Sequence, residues 1–203
     1  RLTQEQLSHT LFPLASLTKE KVKKMAKDMD LPTAARPESQ EICFVPDNDY
    51  AGFLENYTSQ PALPGYILDD KGKKLGQHHG ITHYTLGQRK GLGIVTAEPL
   101  YVTGIDPVKN TVTVGTKAQT YASELVAADL NWIVPPGLSQ PMKAKIKIRY
   151  RAEEIEAVAN PPVENKLFLK LSTPQMAVTP GQSVVFYDGN IVLGGGTIIR
   201  QGR

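Results

Sequence analysis

The sequence has one cysteine, few aromatic residues (7%), no strong excess of either charge, and no apolar run near the length of a membrane span. A single cysteine excludes an internal disulfide framework and fits a reducing cytoplasm. Without a long apolar stretch or a charged-then-apolar leader at its start, the chain is expected to be cytoplasmic and to stay off membranes. With 23 basic and 20 acidic residues the net charge is +3, which permits a polyanionic partner without demanding one. What is present is ordinary for a folded protein. Of 203 residues, 40% are hydrophobic and 21% charged, which excludes wholesale disorder and leaves room for one or two domains.

The charge is unevenly placed. Residues 1–60 carry 7 basic and 9 acidic side chains, 61–128 carry 7 and 5, and 129–203 carry 9 and 6. An anion-binding face is therefore expected in the later segments. The chain begins at Arg1, not at methionine, and is read as a piece of something longer.

The first fifty-odd residues read as helical and irregular. Thr3 with Gln6 forms a capping box for a short helix. Thr18 caps a second helix, whose apolar residues Val22, Met25, Ala26 and Met29 follow the 3.6-residue period up to Pro32. Tyr50, Phe53, Leu54 and Tyr57 mark a third. Three short helices without a sheet make a thin domain, so 1–57 looks like the remnant of a larger one. After Gln60-Pro61 the texture changes to short strands, including a hairpin over 100–105 and 111–114. From about residue 129 the signal is β, with strands expected at 129–134, 142–151, 154–159, 166–171, 184–187 and 191–193. The expected class is α+β, mainly β: a helical remnant (1–57), a small central domain (58–128) and an antiparallel barrel of about six strands (129–203).

Four features invite a chemical reading. Cys43 lies between acidic Glu38 and Glu41 and apolar Ile42, Phe44 and Val45, which favours a buried structural thiol over a reactive one. His78, His79 and His83 have a possible ligand spacing, but Gly80-Ile81-Thr82 is poor helix material, so no metal site is expected. Gly87-Gln88-Arg89-Lys90-Gly91-Leu92-Gly93 fails both the P-loop and the dinucleotide spacing. It leaves Arg89 and Lys90 on a glycine-framed loop, as phosphate contacts or as part of a plain turn. The stretch 142–151 alternates, sending Lys143, Lys145, Lys147, Arg149 and Arg151 to one face and Tyr150 to the core side. That face is either an RNA-backbone surface or a solvated strand paired with Glu153, Glu154 and Glu156.

Ser39-Gln40-Glu41-Ile42-Cys43-Phe44 closely resembles the second-cysteine motif of the bacterial tRNA-specific 2-thiouridylases, the MnmA or TrmU family. The resemblance continues in order through Gly76, His78 and Gly80, then 84–94, then Arg149-Tyr150-Arg151, then Ala177-Val178-Thr179-Pro180-Gly181-Gln182, and ends at Leu193-Gly194-Gly195-Gly196. Glu41 replaces the more usual Asp, and the family's Ser-Gly-Gly-x-Asp-Ser pyrophosphate loop, first catalytic cysteine and Lys-Asp-Gln segment are not in these residues.

The resemblance implies the end of a nucleotide-binding α/β domain followed by a central domain and a barrel. It also implies sulfur transfer to C2 of the wobble uridine of certain tRNAs, with ATP (and Mg) activating the C2 oxygen in the full-length enzyme. Cys43 would carry the persulfide, supplied by a sulfur-relay protein or cysteine desulfurase. Arg149, Tyr150 and Gln182 match tRNA-contacting positions, and Arg89, Lys90, Lys147 and Arg151 are weaker candidates. The 203 residues alone are expected to be inactive for want of an ATP-binding loop. The rival readings are a non-catalytic RNA-binding barrel module with a structural cysteine, and a structural or oligomerisation piece.

Overall fold

The computed structural model describes residues 2–35, 44–45, 49–58, 61–134, 138–150 and 152–202. The chain divides into two compact units, Arg1–Phe53 and Leu54–Arg203. In the first, α1 (Gln4–Ser8) starts at the expected capping box: the Gln6 N–H donates to Thr3 Oγ1 (3.2 Å) and the Thr3 N–H to Gln6 Oε1 (2.9 Å). The second helix, α2 (Lys19–Asp28), is capped by Thr18, whose Oγ1 accepts from the Lys21 N–H at 3.3 Å. Neither helix buries a residue, and Leu11, Phe12, Leu14, Met25 and Met29 are exposed. A third helix, α3 (Tyr50–Thr58), spans the division between the units.

The second unit holds two sheets. A four-stranded mixed sheet has the order β2-β1-β4-β3, built from β1 (Gly65–Leu68), β2 (Lys74–His78), β3 (Tyr101–Asp106) and β4 (Thr111–Gly115). β3 and β4 form the expected hairpin, while β1 joins β4 in parallel through Tyr66↔Thr111 to Leu68↔Thr113. Ile67, Val102, Val112, Val114 and Leu92 make its core.

The remaining strands close into a six-stranded antiparallel barrel, ordered β10-β5-β8-β7-β6-β9. They are β5 (Tyr121–Trp132), β6 (Met142–Lys147), β7 (Ile155–Ala159), β8 (Leu167–Met176), β9 (Ser183–Asp188) and β10 (Ile191–Gly202). Alternation places Leu125, Ala127, Ile146, Leu167, Leu169, Val184, Phe186 and Ile198 inside. The backbones of β5 and β9 press on β10 where side chains would not fit: a Cβ on Gly195 would lie 2.7 Å from Val184 O, and one on Gly196 2.8 Å from Ala128 O.

Three strands run longer than the sequence pattern indicates. β5 starts at Tyr121, where Tyr-Ala-Ser-Glu-Leu-Val-Ala-Ala shows no clean alternation, because the register shifts between Ala122 and Glu124 and buries Ala122 and Leu125 three residues apart. β8 runs past Leu171 to Met176, with Pro174 in the interval where pairing to β5 is interrupted. β10 continues to Gly202 through two register shifts against β5.

Candidate nucleic-acid interface

Three stretches that are far apart in sequence meet at one edge of the second unit. The first is the glycine-framed loop 84–93. Its residue Gly87 has φ +82°, and the Gly87 N–H donates to Val102 O (2.8 Å) while the Val102 N–H donates to Gln88 O (2.9 Å). The loop is thus zipped onto β3. Gln88 ties the turn internally: its Oε1 accepts from the Thr85 N–H (2.9 Å) and its Nε2 donates to Lys90 O (3.0 Å). Arg89 and Lys90 stand exposed at its head, with no ion pair among the described residues. Below them Tyr84 packs edge-on to His78, 5.7 Å between ring centroids, and burial pushes its phenol above the usual value of 10.0.

The second stretch follows β6. The strand ends at Lys147, and Ile148 is the last residue to follow the alternation. Arg149 then leaves the expected cationic row: its Nη2 donates to Met176 O (2.6 Å) and also to Ala177 O. Tyr150 is 96% exposed, not turned to the core as a continued strand would require. The chain bends at residues 148–149 and turns at Tyr150, so the period-2 rule stops applying there.

The third stretch is the turn 177–182. Ala177 is buried at φ +52°; its N–H donates to Thr120 O (2.8 Å), and its carbonyl also accepts from Thr179 Oγ1 (2.9 Å). Gln182 is held through its backbone, since Ile198 N–H donates to Gln182 O and Gly181 N–H to Ile198 O, both at 2.8 Å. Its side chain is exposed and makes no hydrogen bond among the described residues. First and third stretches touch: a Cβ on Gly87 would sit 2.7 Å from the Ala177 Cβ. Tyr150, Gln182, Arg89 and Lys90 are exposed on these three stretches, which touch through Ala177.

The other candidates fall elsewhere. Lys147 and Lys145 both face Glu154, at 3.5 and 3.9 Å, so the outer face of β6 is partly neutralised by the acid expected opposite it; Lys147 also lies 5.5 Å from the Tyr187 ring. An open groove of about 880 Å³ on the β6–β9 wall includes Lys143, Lys145, Lys170, Glu156 and Asp188, again of mixed charge. His78 is fully buried; its Nδ1 accepts from the Gly80 N–H (3.1 Å), which leaves Nε2 to donate to Asn110 O (3.1 Å). That is a structural role. His83 faces Glu55 at 3.8 Å. Among the described residues no group of three or more His, Cys, Asp or Glu could hold a metal ion, and no helix is long and apolar enough to cross a membrane. Cys43 and Arg151 lie outside the described residues. Sequence reasoning missed the part played by Ala177 and Thr120, and no local signal marks either one.

Comparison with known proteins matches three family models in tandem: a tRNA methyl transferase HUP domain over residues 1–47, a tRNA methyl transferase PRC-barrel domain over 51–116, and an aminomethyltransferase beta-barrel domain over 122–198. The tRNA-specific 2-thiouridylase MnmA of Acetivibrio thermocellus is 54% identical over 197 residues, which is 97% of this chain and 55% of that protein. The chain belongs to the MnmA family. MnmA 1 of Thermoanaerobacter sp. is 50% identical over 202 residues, covering all of this chain and 56% of the relative. MnmA of Symbiobacterium thermophilum is 50% identical over 199 residues, covering 98% and 51%. The chain thus spans about half the length of the curated MnmA relatives it matches. Within it, the beta-barrel match falls on β5–β10 and the PRC-barrel match includes the whole mixed sheet.

Proposed function

We propose that these residues supply the tRNA-binding surface and the persulfide cysteine of an enzyme that 2-thiolates the wobble uridine of certain tRNAs. The observation carrying this reading is the convergence of 84–93, 149–150 and 177–182 on one edge, with Tyr150, Gln182, Arg89 and Lys90 left unengaged around it. Two cations without acids attract phosphate, and a bare tyrosine offers a stacking face to an unpaired base. An anticodon loop presents both: a bent backbone and bases that can be splayed from their stack.

Cys43 enters through its sequence motif. Its thiolate would attack the terminal sulfur of a persulfide on a relay protein or cysteine desulfurase. A new S–S bond then forms on Cys43, the donor's S–S bond breaks, and the donor cysteine leaves as thiolate. The residues present do not fit ATP. The glycine-framed loop 87–93 uses its Gly87 and Gln88 amides on Val102 O and Thr85 O, and no pyrophosphate-loop motif occurs in the sequence. We therefore place nucleotide activation outside these residues and expect no thiolation by them alone.

Two measurements test the reading. Titration of labelled tRNA against the chain at several salt concentrations should give a log–log slope of about −1.5, as two phosphate contacts require; a flat response refutes it. Incubation with a cysteine desulfurase and cysteine should add one sulfur atom to the chain, lost in Cys43→Ser. Salt-dependent tRNA binding with an unmodified Cys43 would instead leave an RNA-binding barrel whose cysteine is structural.

A further inference from the structure

We infer that the backbone amides of residues 90–94 form an anion-binding concavity that holds one phosphodiester of the bound RNA, with Arg89 and Lys90 as its charged rim. The inference deepens the tRNA reading proposed above and rests on it.

The two ends of the loop are tied down and its middle is not. Gly87 and Gln88 donate their N–H groups to Val102 O and Thr85 O, and Val102 donates back to Gln88 O. From Arg89 to Glu98, no backbone N–H finds an acceptor among the described residues. Leu92 is one of these although it is buried. A donor left unpaired at a buried residue is costly unless a water or a ligand takes it, so the stretch calls for an acceptor from outside the chain.

The backbone directions suit a single anion. φ is +72° at Gly91 and +70° at Gly93, and negative at Lys90 and Leu92. Alternation of this kind turns successive N–H groups toward a common side, the arrangement that cradles anions. Gln88 Nε2 donates to Lys90 O at 3.0 Å; a peptide N–H points opposite its C=O, so the Gly91 N–H faces away from Gln88. Side chains hold the frame. Leu92 belongs to the core of the mixed sheet, and Ile94 packs on that core close over Gly76, where an added Cβ would lie 2.7 Å from Ile94 Cγ2. In front of Gly93 the space is open, since a Cβ there would meet nothing within 4 Å. Gly91 and Gly93 border a cavity of about 450 Å³ whose lining includes Arg89 and Glu98. With Lys90 exposed beside it, positive charge is in excess over that one acid, which selects an anion, and phosphate is the anion an RNA backbone presents.

The test follows amide resonances of the 15N-labelled chain during separate titrations with tRNA and with inorganic phosphate. The Gly91 and Gly93 amide protons should move downfield in both titrations, as N–H groups do on gaining a charged acceptor, and the RNA should displace the phosphate. A shift with phosphate that tRNA neither reproduces nor displaces would mean a site for a small phosphorylated ligand, and overturns the inference. A second arm uses Gly93→Pro, which deletes one amide and forbids the positive φ, with the resonances of β1–β4 confirming an intact sheet. Its tRNA affinity should fall about tenfold, the value of a hydrogen bond to a charged group, while the salt slope keeps its wild-type value because no cation is removed. Unchanged affinity overturns the inference, and so does a loss that comes with a flatter slope, which would assign the contact to the side-chain cations alone. Failure of the wild-type chain to bind tRNA would refute the tRNA reading itself, whereas tRNA binding that leaves the Gly91 and Gly93 amides unmoved refutes only the concavity.

Discussion

Replacing Gly87 by alanine probes the junction directly, because two separate costs are readable from its coordinates. Its φ of +82° lies where a residue with a Cβ is disfavoured by about 1–2 kcal/mol. The added Cβ would also lie 2.7 Å from that of Ala177, an overpacking that costs about 1–3 kcal/mol. Gly87→Ala should therefore lose about 2–5 kcal/mol by the two effects combined. Ala177→Gly should be nearly neutral. It forfeits about 0.8 kcal/mol of methyl burial and about 0.4–1 kcal/mol through the looser unfolded chain, and regains about 1–2 kcal/mol at φ +52°. In the double variant the clash disappears and only the backbone cost at residue 87 remains, so the pair should couple by about 1–3 kcal/mol. Urea unfolding followed by Trp132 fluorescence measures all four corners of the cycle; Trp132 stacks on Phe186 at 5.6 Å and so reports on the barrel core. Additivity to within about 0.5 kcal/mol would mean that the two loops are not in contact, and the shared edge on which the tRNA reading rests would be lost.

Single substitutions elsewhere separate binding from stability. Tyr150→Ala should weaken tRNA binding by about 1–3 kcal/mol, the value of one stacked base, with an unchanged melting temperature because the ring covers nothing in the protein; equal tRNA affinity would refute the stacking role. Phe186→Ala should destabilise the barrel by about 3–5 kcal/mol in urea unfolding, since the ring is fully buried beside Trp132. Burial raises the Tyr84 phenol pKa in the folded chain, so the folded state holds that proton more tightly than the unfolded one. Its contribution to stability is present in full below pH 10 and lost as pH rises beyond it, and Tyr84→Phe should remove that alkaline component from a stability–pH curve. Glu154→Gln should alter stability by less than about 1 kcal/mol, because its pairs with Lys145 and Lys147 are partly exposed, and should steepen the salt dependence of tRNA binding if β6 also faces RNA.

Much of the fold was legible because its signals are local. A capping box needs only Thr3 and Gln6, and a helix cap only Thr18. The hairpin of β3 and β4 and the inward row Ala144, Ile146, Ile148 follow from alternation within a few residues. Legibility ended where a distant partner decides the conformation. Residues 121–128 show no clean alternation, and only the register shift against β8 accounts for their being a strand. Tyr150 carries the same parity as Ile148, yet faces solvent, because β6 stops at Lys147 when Arg149 is drawn to carbonyls 27 and 28 residues away. The motifs were visible in sequence as separate segments; nothing local says that 84–93 and 177–182 are neighbours.

The choice of residue at that junction shows why a window of sequence could not reveal it. Gly87, Gly91, Gly93 and Gly181 all adopt positive φ in the two loops, and for each glycine is the ordinary solution. Ala177 shares the backbone region but has a side chain, which is the unfavourable choice if the turn is considered alone. Taken with Gly87 it becomes sensible: the methyl missing from one loop is present on the other, and the pair packs where two methyls would collide and two glycines would leave a gap. The strain at Ala177 is then offset by the Arg149, Thr120 and Thr179 bonds that surround it. Moving the methyl to the other loop, with alanine at 87 and glycine at 177, conserves volume and exchanges one left-handed Cβ for another, so the double variant should return to within about 1 kcal/mol of wild-type stability. A loss of more than about 3 kcal/mol in that double variant, as large as an unrelieved clash would give, would show that the two positions do not share one methyl-sized space.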